Sequence, residues 1–147
     1  MKFFFLFLFS YAAMSFTNWQ PDFNTAQKIA KQKHHLILLN FSGSDWCGPC
    51  IRMHREIFLD TQFAQMADSN LVLLNADFPR ARKNQLDKLK QKQNDLLAEK
   101  YNPGGKFPFT LLLDVEGKLV KSWDGLPDNG ALAFAKEIKK YCDAYSN

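Results

Sequence analysis

Two cysteines three residues apart, Cys47 and Cys50, follow closely on a run of strand-forming residues, Leu36-Ile37-Leu38-Leu39-Asn40-Phe41. A nearly continuous apolar run of this length is the pattern of a strand covered on both faces, so structure must lie above and below it. Ser42-Gly43-Ser44-Asp45 breaks the run, and Pro49 suits the first turn of a helix that continues through Ile51, Met53, His54, Ile57 and Phe58. The cysteine pair therefore stands where a buried strand hands over to a helix.

The rest of the chain repeats that alternation. Trp19 to Phe23 reads as irregular, after which Asn24 or Thr25 caps a helix with Ala26, Ile29 and Ala30 on its apolar side. Asp60-Thr61 caps a short helix through Phe63 and Met66, and Leu71 to Leu74 forms a second buried strand. Arg80 to Lys100 reads as a long polar helix with a thin stripe of Leu86, Leu89, Leu96 and Leu97. After the loop Asn102-Pro103-Gly104-Gly105, Phe109 to Leu113 is a strand. The turn Asp114 to Gly117 leads into the alternating segment Lys118 to Trp123, its hairpin partner. Asp128 or Asn129 caps a last helix carrying Leu132, Ala135, Ile138, Cys142 and Tyr145. The order argues for an α/β sandwich around a central mixed sheet, one domain within 147 residues.

Thiols at positions i and i+3 at a helix start can close a small disulfide. The free N–H groups and the helix dipole there favour a thiolate, drawing a thiol pKa from ~8.5 toward ~7 or lower. Cys47 is the outer sulfur. Cys50, one turn further in, is shielded and suited to attack only once a mixed disulfide exists on Cys47. A zinc site would need a fourth ligand beyond Cys47, Cys50 and His54, from a second clustered pair that the chain lacks. Haem attachment needs His directly after the second cysteine, where Ile51 stands. No cofactor is implied.

Asp45-Trp46-Cys47-Gly48-Pro49-Cys50 behind a buried strand, together with Phe107-Pro108-Phe109-Thr110 ahead of a later one, resembles the two defining loops of the thioredoxin family. The resemblance, over roughly Asn24 to Tyr145, implies a thioredoxin-like fold and thiol:disulfide exchange through Cys47 and Cys50. It also implies a cis-proline at Pro108 beside the disulfide and a substrate groove formed by Trp46, Gly48, Pro49, Phe107, Pro108 and, in a third loop, Gly125. Gly-Pro between the cysteines is the dipeptide of reducing members, so the implied activity is reduction of protein disulfides, with an unidentified redox partner regenerating the dithiol. The alternative is a peptide-binding or chaperone-like module with an incidental disulfide. The family's buried acid falls at Phe41 and its lysine partner at Leu73, neither able to relay a proton, which leaves Asp45 as the nearest candidate base for Cys50.

Lys2 and the apolar run Phe3 to Phe9, followed by small residues at Ala12, Ala13 and Ser15, have the layout of a secretory signal peptide. The expectation is residues 1–15 as a cleaved signal and 16–147 as the domain, exported to a periplasm or outside the cell, without stable membrane insertion once cleaved. A retained anchor or a buried first strand are the other readings. Three cysteines, an odd number, exclude a disulfide framework, and Cys142 reads as a buried inert thiol. A net charge of +4, from 19 basic and 15 acidic residues, is too mild to argue for nucleic acid. The basic cluster from Arg80 to Lys92 lacks aromatic interleaving and reads as a solvated face, with docking of an acidic partner as its functional alternative. His34 and His35 read as solvated.

Overall fold

In a computed structural model, which describes residues 18–146, five strands form one mixed sheet in the order β1-β3-β2-β4-β5. The strands are β1 (Trp19–Gln20), β2 (Leu36–Ser42), β3 (Leu71–Asp77), β4 (Phe109–Leu113) and β5 (Leu119–Asp124). β1 and β2 run parallel to β3, while β4 runs antiparallel to both β2 and β5. The helices are α1 (Phe23–Lys33), α2 (Gly48–Met53) with a π-helical continuation (His54–Phe58), α3 (Thr61–Asn70), α4 (Lys88–Tyr101) and α5 (Gly130–Ser146). The proposed signal segment, 1–15, lies outside the described residues.

Strand alternation sorts the core into two layers. On one face Leu36, Leu38, Leu71, Leu73 and Leu112 meet Met53, Ile57 and Phe58 after the cysteine pair, Phe63 of α3, and Phe134 and Ile138 of α5. On the other, Ile37, Leu39, Phe41, Val72, Leu74 and Leu111 meet Ala26 and Ala30 of α1 and Leu97 of α4. Both faces of β2 are covered, as its apolar run requires. The Phe63 and Phe134 rings stack at 6.3 Å and are fully buried, each contributing ~1.5–3 kcal/mol of transfer free energy.

Several local expectations change. Trp19–Gln20 is not irregular but adds an edge strand, its Trp19 ring meeting Phe58 edge-on at 5.1 Å. Asp22 caps α1, accepting from the Thr25 N–H at 2.7 Å; Thr25 is the donor rather than the cap. The segment expected as one helix from Arg80 holds a 3-10 turn at Arg82–Asn84, and α4 begins only at Lys88 behind the Asp87 cap. Of its leucine stripe only Leu97 is buried, while Leu89 and Leu96 are exposed. On α5 the buried face is Phe134, Ala135, Ile138 and Cys142, while Leu132 and Tyr145 are exposed. His34 is the exposed left-handed end of α1 at φ 55°. The half-buried His35 is not solvated as expected: its Nδ1 is buried without a partner, and burial pulls its pKa below 6.5.

Candidate active site

The end of β2 delivers the chain into a tight loop at Gly43, whose carbonyl accepts from the Trp46 and Cys47 N–H groups. A side chain at Gly43 would collide with the Trp46 indole, so glycine is required there by close approach. Cys47 and Cys50 are bonded, S–S 2.17 Å, with Cα atoms 5.2 Å apart. Cys47 is the N-cap of α2, and its Sγ accepts from the Cys50 N–H at 3.3 Å. An N–H aimed at this sulfur stabilises negative charge on it once the disulfide is open. Gly48 and Pro49 are exposed between the two, whereas both cysteines are buried.

Trp46 joins the cysteine loop to two others. Its Nε1 donates to the Phe78 carbonyl at 2.7 Å, its ring meets Phe107 edge-on at 5.4 Å, and the Arg80 guanidinium lies 3.7 Å above it. The indole is half-buried and held from three sides. The Phe107-Pro108 peptide bond is cis, as the family resemblance implies. The Pro108 carbonyl accepts from the Gly125 N–H at 2.9 Å, and Gly125 has φ 88°, a left-handed conformation that suits glycine. Trp46, Phe107, Pro108 and Gly125 thus form one linked rim. The Phe107 peptide precedes the β4–β5 ladder, which begins with Phe109 opposite Asp124.

The inner side of the disulfide differs from expectation. Phe41 packs with α1 and α4, on the sheet face away from Cys50, and Leu73 lies in the core opposite Leu38. The residue on the Cys50 side is Asn40, one position earlier; a one-residue offset along a strand changes face. Asn40 is buried, donates to Asn75 Oδ1 at 2.9 Å and accepts from Thr110 Oγ1 at 3.0 Å. Ser42 shares Asn75 and donates to Asp77 at 3.0 Å. This network borders a cavity of about 340 Å³ that reaches Cys50, lined also by Trp19, Ser44, Ile51, His54 and Phe58. Sequence reasoning missed it, although Asn40, the one polar residue in the run Leu36 to Phe41, was its visible signal.

The Asp45 carboxylate, the expected base for Cys50, is engaged with the segment after β3. Its carboxylate accepts from the Arg80 N–H at 2.9 Å, the Ala81 N–H at 2.8 Å and the Asn84 side chain at 3.0 Å. The Arg80 N–H, then the Asn84 amide, hold its pKa below the usual carboxylate value. It is a pin for the 80–84 segment. Cys142 is buried against the far end of the core, where burial pushes its thiol up to about 11, too high for exchange at neutral pH. His54 is exposed on the turn after Cys50, at the cavity's edge.

A strand–disulfide–helix junction faced by a cis-proline loop, on a mixed sheet with helices on both faces, defines a thiol:disulfide oxidoreductase of thioredoxin fold. The chain belongs to the thioredoxin-like domain family, whose model matches residues 23–141. It is 34% identical over 121 residues to the disulfide bond reductase DsbH of Chlamydia pneumoniae, covering 82% of this chain and 70% of that one. It is 29% identical to the thioredoxin-related protein DsbJ of the same organism, covering 67% of this chain but 27% of that one. Among solved structures, a DsbH oxidoreductase superposes with a TM-score of 0.77 at 30% identity, covering 86% and 84% of the two chains. A thioredoxin from Thermus thermophilus shares the fold with a TM-score of 0.65 at 15% identity, covering 86% and 88%.

Proposed function

We propose that the protein reduces disulfides of exported proteins, with Cys47 as attacking thiolate and Cys50 as resolving thiol. The observation that carries this reading is the position of Cys47 Sγ as N-cap acceptor of α2, with Cys50 behind it. Cys47 displaces one sulfur of the substrate disulfide and forms a mixed disulfide, and the released sulfur takes up a proton. Cys50 then gives up its proton and attacks Cys47 Sγ, so the substrate leaves as a dithiol carrying two electrons and the protein is left as the Cys47–Cys50 disulfide. A separate redox partner must return two electrons. Trp46, Gly48, Pro49, Phe107, Pro108 and Gly125 form the contact surface for the substrate strand. The reductive direction is supported by Gly48-Pro49 and by the name of the relative from Chlamydia pneumoniae. Export rests on the segment Lys2 to Ser15; no helix among the described residues is long and apolar enough to cross a membrane.

The test is a Cys50→Ala variant expressed in an exporting host. The expected result is substrates trapped as mixed disulfides on Cys47, released by dithiothreitol; clients held equally by wild type and variant, without a covalent link, would instead mean a peptide-binding module. The direction is tested by equilibrating the couple in glutathione buffers. The expected potential is nearer about −270 mV than about −120 mV, the reducing and oxidising ends of such couples.

A further inference from the structure

The segment after β3 is built onto the cysteine loop. Asp45, two residues before Cys47, holds the Arg80 and Ala81 N–H groups and the Asn84 amide. Gln85 Nε2 donates to the carbonyls of Pro79 at 3.1 Å and Arg80 at 3.2 Å, and the Trp46 indole is tied to the Phe78 carbonyl. A stretch that would be a mobile basic loop is therefore fixed at the edge of the groove. It carries Arg80, Arg82 and Lys83 with no acidic residue among them. All three are exposed, and none forms an ion pair or side-chain hydrogen bond among the described residues.

Arg80 stacks its guanidinium on Trp46, which leaves its N–H edge free to receive a carboxylate in two-pronged fashion. The acidic groups nearby are already engaged. Asp45 is held by the three donors named above, and Asp124, opposite Phe109, pairs with Lys106 at 2.7 Å. Asp45 keeps its negative charge against these neutral donors, but its oxygens are turned to groups of the chain itself, so the exposed charge of the segment is that of Arg80, Arg82 and Lys83, with Arg80 stacked on the indole next to Cys47.

We propose that Arg80, Arg82 and Lys83 form a charge filter that selects protein disulfides flanked by aspartate or glutamate. The inference rests on the reductase reading and adds its substrate class. Cations on the rim raise the encounter rate with an anionic chain and orient it in the groove, an effect that fades as salt shortens the Debye length from ~30 Å at about 0.01 M to ~3 Å at about 1 M.

The test uses the full-length reduced protein and three cystine peptides of one backbone, with acidic, neutral or basic residues beside the disulfide, in single-turnover stopped flow. At low salt the acidic peptide is expected to react on the order of tenfold faster than the neutral one, and the basic peptide slower. The acidic peptide's advantage should vanish at high salt. Arg82→Gln/Lys83→Gln should lower the acidic-to-neutral ratio, whereas Lys136→Gln/Lys140→Gln on α5, the same change in net charge, should retain it. Reduction of all three peptides at one rate overturns the filter and leaves the reductase intact. Equal loss of the preference in both double variants also overturns it, since net charge would then be the cause. Failure to reduce any peptide overturns the reductase reading and the filter with it.

Discussion

The two sides of the Cys47–Cys50 bond are built from different materials. On the Cys47 side, backbone shape and aromatic packing set the geometry: Gly43 admits the indole, Trp46 meets Phe107, and Gly125 holds Pro108. On the Cys50 side, buried polar groups do so, with Asn40, Asn75, Ser42 and Thr110 joined into a network around the cavity that ends on the Asp77 carboxylate. The outer side is an exposed rim of backbone and aromatic groups with Arg80 stacked on it. The inner side satisfies buried polar groups while placing no buried carboxylate or lysine at Phe41 and Leu73. Attack and resolution thus rest on separate constructions, which mutation can disturb one at a time.

Gly43→Ala should have the largest effect. A Cβ there overlaps the indole, and overpacking a fixed ring costs up to about 3 kcal/mol. The expected outcome is a lower denaturation midpoint and a shifted Trp46 emission; unchanged values would show that the loop is looser than drawn. Asn40→Leu comes next. It leaves the Thr110 hydroxyl and one acceptor site on Asn75 without their partner, at a cost of about 1–2 kcal/mol. Chemical denaturation should detect the loss while the rate of Cys47 alkylation stays at its wild-type value; a changed rate would mean that the two sides are coupled. The companion Asn40→Asp should add a carboxylate titration to the pH profile of resolution, and a profile identical to that of the wild type would place residue 40 outside the proton path.

Asp45→Ala is expected to free the 80–84 segment, seen as faster hydrogen exchange at Arg80 and Ala81, with no change in the pH profile of resolution. A lost titration in that profile would restore Asp45 as the base for Cys50. The smallest effect belongs to His35, outside both sides. Burial holds its folded pKa below 6.5, so the unfolded chain binds the proton first as pH falls. Stability is full above 6.5 and declines as pH drops from there through the folded value. His35→Gln should flatten that decline in a pH series of thermal melts, and an unchanged slope would assign it to other groups.

Much of this was legible beforehand because it rests on local chemistry. The apolar run Leu36 to Phe41, the break at Ser42 to Asp45 and Pro49 in a first turn predict the strand, the loop and the helix in their observed places. Pro108 and Gly125 were legible by family resemblance, and the structure brings them together. The polar network was not, because it depends on which face each residue of β2 takes. An offset of one residue put Phe41 where Asn40 stands. The role of Asp45 was hidden for another reason: its donors lie 35 to 39 positions away, in a segment whose composition reads as solvated helix.

The most direct test of the asymmetric centre is pH-dependent alkylation of the reduced protein with iodoacetamide, mapped by mass spectrometry. Cys47 should be labelled first with an apparent pKa toward ~7, while Cys50 and Cys142 are spared. Labelling of Cys50 before Cys47, or titration of Cys47 at or above the free-thiol value of ~8.5, would contradict it.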